Sequence, residues 1–151
     1  MKEPSRIALA ALLVIVSACW QPASAKSSKP IDWEKKLQKG YYELSIGNVD
    51  KAIDMFRSKV KSNPESGACH TALGLALKKK GKLQDAKAEF QAATSAEPTF
   101  ANGFYELGSM QESDREYAAA AESFERFEQF SNDINKKKVV LDRIKFCKER
   151  I

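Results

Sequence analysis

Four residue columns recur along this chain at a step of 34. Gly40, Gly74 and Gly108 form one, Ala52, Ala86 and Ala120 a second, and Phe56, Phe90 and Phe124 a third. Pro64 and Pro98 open the fourth, which ends in Asn132. A period of this length marks stacked two-helix units, each covering its neighbour's apolar face. The repeat restricts the fold to an all-α stack and moves the search for function from pockets to surfaces shared between repeats. The units divide as 33–66, 67–100 and 101–134, with a capping helix expected over 135–151.

Within each unit the apolar positions keep helical spacing. In the first, Trp33, Leu37, Tyr41 and Leu44 share a face, with Asp32 as a candidate N-cap. Gly47-Asn48 breaks that helix. Ala52, Ile53, Phe56 and Val60 form the face of its partner, which stops before Pro64 because proline disfavours helix in the residue before it. In the second unit the faces are His70, Leu73, Gly74 and Leu77, then Leu83, Ala86, Phe90 and Ala93, with Gly81 as the stop between them. In the third they are Phe104, Leu107 and Gly108, then Tyr117, Ala120, Phe124 and Phe127. Arg115 stands there in place of the turn glycine, so the turn either avoids positive φ or bears its cost. Val140, Ile144, Cys147 and Ile151 mark the last helix, expected to have one apolar and one charged side, as an end cap needs. Gly74 and Ala86 are read as small because the two helices of a hairpin approach closely there, with Phe90 filling the space beyond them.

Residues 1–25 read as an export leader. Lys2 and Arg6 precede the ten-residue apolar run Ile7–Val16, too short for a bilayer span, which needs about 20 residues. Two cleavage readings stand. Ala23-Ser24-Ala25 suits general cleavage after Ala25. Val16-Ser17-Ala18-Cys19 resembles a bacterial lipobox, with cleavage before Cys19 and acylation of its thiol. The lipobox directly follows the apolar run and is preferred on that ground. Residues 19–31 then form a tether, since their Pro, Ser, Ala and Lys bury too little surface to fold. The expected location is the periplasm or envelope of a Gram-negative bacterium, on a lipid anchor.

Composition narrows the chemistry. A net charge of +5 over 151 residues is too small and too dispersed to argue for nucleic acid. One His and three Cys are too few for a disulfide scaffold or a Cys/His zinc site. Cys69 and Cys147, on helices two repeats apart, are read as free and buried, and His70 as a packing residue. Glu122, Glu125 and Glu128 read as solvated helix charge, and the runs Lys78–Lys80 and Lys136–Lys138 as helix-end charge. There is no phosphate loop and no nucleophile motif. The chain is therefore read as a non-enzyme without cofactor or metal.

Leu73-Gly74, Ala86, Phe90, Ala93 and Pro98, with Phe104, Leu107, Gly108, Ala120 and Phe124 and the first copy's Gly40, Gly47, Ala52, Phe56 and Pro64, resemble the tetratricopeptide repeat. The first copy departs from the pattern where Lys36 and Lys39 occupy its aromatic and leucine columns, and its apolar face is shifted by one residue. The resemblance covers about residues 32–134 and implies a short right-handed solenoid. In that family the first helices line a concave groove for a peptide or helix. The groove positions fall here on Leu37, Tyr41 and Leu44; Thr71, Leu75 and Lys78; Tyr105, Ser109 and Glu112. The family's Lys/Asn/Arg carboxylate clamp is absent, because Leu37, Tyr41, Thr71 and Leu75 hold its slots. That argues for an apolar or aromatic-anchored partner segment over one ending in an acidic motif. The functional expectation is an envelope interaction scaffold that helps assemble a pilus, secretin or outer-membrane machine. An accessory subunit of a periplasmic enzyme or cytochrome-maturation system, and a self-assembling envelope protein, are the alternatives.

Overall fold

The computed structural model describes residues 33–151. The leader, Cys19, the tether and the Asp32 cap lie outside the described residues. Seven α-helices and no strand make up the described part: α1 (Trp33–Ser45), α2 (Val49–Ser62), α3 (Gly67–Lys79), α4 (Leu83–Ala96), α5 (Ala101–Ser113), α6 (Tyr117–Phe130) and α7 (Ile134–Lys148). Among the described residues no helix is long and apolar enough to cross a membrane.

The three hairpin turns close in the same way. The N–H groups of Asn48, Lys82 and Glu116 donate to the carbonyls of Glu43, Leu77 and Gln111 at 2.9, 3.0 and 2.8 Å. This is the Schellman closure, which needs a left-handed residue just before the donor. Gly47 and Gly81 supply it at φ 88° and 82°, and Arg115 adopts it at φ 63°. The third turn therefore bears the cost of a side chain in the left-handed region, about 1–2 kcal/mol. Two helices also carry side-chain caps, with Ser66 Oγ accepting from the Cys69 N–H and Asp133 from the Lys136 N–H.

The glycine column is explained by the phenylalanine column. A Cβ at Gly74 would lie 2.5 Å from the Phe90 ring, and one at Gly108 would lie 2.8 Å from the Phe124 ring. Gly40 meets Phe56 in the same way. Each ring rests on the opposing helix's bare Cα, and all three rings are fully buried. The close contact is thus ring against glycine, and Ala52, Ala86 and Ala120 are buried beside it. Phe90 and Gly74 interlock within one hairpin, so each repeat carries its own fastening.

The core has two parts. One joins α1 to α4 and includes Leu107 and Met110 of α5. The other gathers Ala120, Ala121, Phe124 and Phe127 of α6 with Val140, Ile144 and Cys147 of α7. α3 lies in the middle of the first and buries nine of its residues. In α1, Leu37 is buried while Lys36 and Lys39 are exposed, and Tyr41 packs on Phe56 with ring centroids 5.2 Å apart. The shifted apolar face is real.

Three expectations fail. Leu83 is 50% exposed and takes no part in the α4 face. The last helix begins at Ile134 and ends at Lys148, leaving Ile151 beyond it and 77% exposed. Its free surface is not simply charged: Ile134, Val139, Leu141 and Phe146 are all exposed on it. Leu141 continues the column of Leu73 and Leu107. Those two are buried, Leu107 within the core that joins it to the preceding repeats, whereas Leu141 is 54% exposed.

Polar ties run mostly between repeats. The Lys78–Lys80 run is more than helix-end charge: Lys78 pairs with Glu106 at 3.0 Å, Lys79 donates to the Leu44 carbonyl at 2.7 Å, and Lys80 pairs with Asp50. Lys87 sits between Asp114 at 2.6 Å and Glu116 at 2.8 Å. Hydrogen bonds to Asp114 and Glu116 hold its ammonium above the usual lysine range. His70 meets Glu89 Oε2 through Nδ1 at 2.8 Å and the Pro64 carbonyl through Nε2 at 2.9 Å, a packing and tethering role. Glu125 and Glu128 pair with Lys148 and Lys137, and Glu122 is exposed. Cys69 and Cys147 are free and buried, and desolvation raises both thiols above the ordinary range. No group of metal-ligating side chains forms among the described residues.

Candidate peptide-binding groove

The first helices of the three hairpins lie side by side, α1 against α3 and α3 against α5. Their shared face holds a cleft of about 460 Å³. α1 contributes Trp33, Leu37 and Tyr41, and α3 contributes Ala68, Thr71 and Leu75. Phe100, just before α5, lines it with Asn102, Tyr105 and Glu106, and Lys136 of α7 stands at its edge. Helix geometry dictates this arrangement. Positions three and four apart share a face, and a step of 34 returns each helix in the same phase to its neighbour's flank.

Five of the nine positions expected on the groove line this cleft: Leu37, Tyr41, Thr71, Leu75 and Tyr105. Leu37 and Thr71 are its floor, at 3% and 5% exposure, while Tyr41, Leu75 and Tyr105 are half-buried. Among the described residues Thr71 Oγ1 is the one buried side-chain polar atom without a hydrogen-bond partner. An unsatisfied buried hydroxyl costs free energy. Phe100 packs against Gly67, where a Cβ would come within 2.9 Å of it.

The other four positions lie elsewhere. Leu44 packs against the core. Lys78 is exposed and held by Glu106. Ser109 and Glu112 are engaged from within the chain. Arg143 Nε donates to Glu112 Oε2 at 2.7 Å, and Arg143 Nη1 donates to Ser109 Oγ at 3.0 Å. The same guanidinium lies 4.3 Å from the Phe124 ring centroid and 5.6 Å from that of Tyr105. The groove is therefore apolar and open along α1 and α3, and polar and bridged where Arg143 of α7 reaches α5.

Trp33, Ala68, Phe100, Asn102, Glu106, Lys136 and Arg143 were not among the expected groove residues. For three of them the signal was present. Ala68, Asn102 and Lys136 stand 34 apart, so the same column rule reaches them once it is extended toward the helix starts. Arg143 falls in the column of Tyr41, Leu75 and Ser109. No period reports that its side chain bends onto α5.

The tetratricopeptide-repeat family model matches residues 71–134. Solved structures share the fold. The TPR2B domain of yeast Sti1, in a pHsp70 complex, superposes with a TM-score of 0.65 at 16% identity, covering 79% of this chain and 98% of that one. The first repeat domain of Spaghetti (RPAP3), bound to the HSP90 peptide SRMEEVD, gives 0.65 at 15% identity over 78% and 90%. The Yersinia enterocolitica type III secretion translocator chaperone SycD gives 0.67 at 11% identity over 78% and 84%. No curated protein matches the sequence significantly.

Proposed function

We propose that this chain of tetratricopeptide repeats is a protein-interaction scaffold whose concave cleft holds a segment of a partner protein. The observation that carries the reading is the cleft itself. Aromatic and aliphatic side chains of three successive first helices form one apolar trough, with an unsatisfied hydroxyl at its floor. Apolar surface left open and concave, with a few polar groups, is how proteins hold ligands of defined shape. Two structural neighbours are described in complex with, or bound to, chaperone-derived ligands. The side chains here favour another ligand chemistry. Leu37, Tyr41, Thr71 and Leu75 offer no cation for a terminal carboxylate, so apolar anchors supply the affinity. The chain needs no reaction of its own for this task.

The cellular setting belongs to the same proposal. Acylation of Cys19 would tether the repeats to an envelope membrane, where they would help assemble a larger machine. A photoreactive residue in place of Tyr105 tests the binding role. It should capture a defined partner, while the same group at exposed Gln91 on α4 should not. Equal capture from both positions would refute groove binding. Incorporation of a fatty-acid analogue into the natural chain but not into Cys19→Ala tests the anchor.

A further inference from the structure

The concave wall does not end at α5. The column of Leu37, Thr71 and Tyr105 continues to Val139, and that of Leu44, Lys78 and Glu112, outside the cleft at the other end of the same helices, continues to Phe146. Contacts establish that α7 turns this side to the groove. Lys136 lines the cleft with its Nζ 5.9 Å from the Tyr105 ring centroid, and Arg143 binds Ser109 and Glu112. Val139 lies between Lys136 and Arg143, at the three- and four-residue spacings that share a helix face, and is 54% exposed. Phe146, one turn beyond Arg143, is 38% exposed; its ring meets Tyr117 of α6 edge-on at 6.1 Å and lies under Arg150 at 3.4 Å. A cap should cover its neighbour and show water a polar back; this helix adds the open side chain of Val139 and the partly covered ring of Phe146 to the inner wall.

We propose that α7 is a fourth row of the binding groove, with Val139 and Phe146 as anchoring positions. Its occupant is an amphipathic helix of a partner protein whose apolar stripe is flanked by carboxylates. This rests on the groove reading above and extends it. The occupant's charge follows from the wall, where cations stand over its rings: Lys36 over Trp33 at 5.1 Å, Lys136 over Tyr105, and Arg150 over Phe146. Among the described side chains of this wall, the carboxylates Glu106 and Glu112 are already paired with Lys78 and Arg143. Its helical form follows from spacing. Packed helices lie about 8–10 Å apart, which matches roughly 10 Å for seven residues of helix, so one anchor per heptad meets one row. Four rows then take a helix of about 20 residues, and three rows take about 13.

The test uses three synthetic peptides, all amidated at the C-terminus and titrated against the full chain by fluorescence anisotropy. The first is a helix of about 20 residues with Leu at i, i+3, i+4 and i+7 spacing and Glu beside the stripe. The second is its truncation to about 13 residues, and the third carries Lys for Glu. The long Glu peptide should bind at least about tenfold more tightly than either of the others. Val139→Asp and Phe146→Ala should each reduce it toward the short peptide's affinity and leave the short peptide unchanged. Tyr105→Ala should weaken both. If Tyr105→Ala weakens binding while the two α7 variants do not, the fourth row is wrong and the groove stands. If Tyr105→Ala has no effect on bound peptide, the groove reading itself is wrong. Lack of binding by the long Glu peptide, or preference for the Lys version, overturns the assigned occupant. Sedimentation of the chain alone completes the set, since growth in size abolished by Val139→Asp would give the face to a second copy and overturn the proposal.

Discussion

The middle hairpin and the C-terminal end of the stack are built on the same columns and meet different fates. α3 packs against α1, α2, α4 and α5 and buries Leu73, Ala76 and Leu77. α7 lies against α6 and Arg143's partners on α5, and leaves Leu141 half in water. Leu73 and Leu141 are the same residue in the same column. The difference teaches that a repeat's pattern specifies which face is apolar, while position in the stack decides whether that face is covered. The column of Leu77 makes the point again. It holds Glu43 in the first repeat, bonded by Asn48 at 2.8 Å and Lys51 at 2.7 Å, and Gln111 in the third, bonded by Ser123 at 2.7 Å. Both polar substitutes are buried and both carry their own partner.

Several substitutions break or sharpen this comparison. The largest effect is expected at the centre. Phe90→Ala removes a fully buried ring from the bare Cα of Gly74 and should cost about 3–5 kcal/mol in a denaturant melt; an unchanged melt would contradict the interlock. Next is the matched pair. Leu73→Ala should cost about 2–5 kcal/mol, while Leu141→Ala should stay within about 1 kcal/mol of the natural chain. Equal losses would mean that Leu141 is covered in solution and that the two ends are not different. A smaller effect, of opposite sign, belongs to the third turn. Arg115→Gly removes left-handed strain at φ 63° and should raise stability by about 0.5–1 kcal/mol, the relief being partly offset by glycine's freer unfolded chain. Gly81→Arg should do the reverse.

The smallest expected effect is a pH dependence. Hydrogen bonds from Lys51 and then Asn48 hold the Glu43 carboxyl below its usual range. A depressed carboxylate stabilises the fold above its unfolded pKa, and that contribution is lost as pH falls through the folded value. Glu43→Gln should therefore flatten the decline in melting temperature on the acid side of about pH 4 and change little near neutrality. A decline of the same slope in both chains would remove Glu43 from the acid response.

The periodicity by itself determined the helix pairs, their turns and the close packing of small residues with phenylalanine in each pair, while the inner wall of the first two repeats followed from the family resemblance. All of these depend on neighbours within one repeat or on an unchanged step to the next, and a regular step is what a column of residues records. It was silent on Arg143, which bends back over Ser109 and Glu112, on the open apolar flanks of α7, and on Arg115 accepting a left-handed backbone. Those outcomes depend on what lies across a gap. A guanidinium chooses among acceptors presented by another helix, an apolar side chain is buried only where something stands opposite it, and a strained turn is held by the two helices it joins. Spacing along a chain carries the phase of each helix; only the assembled stack decides which phases find a partner.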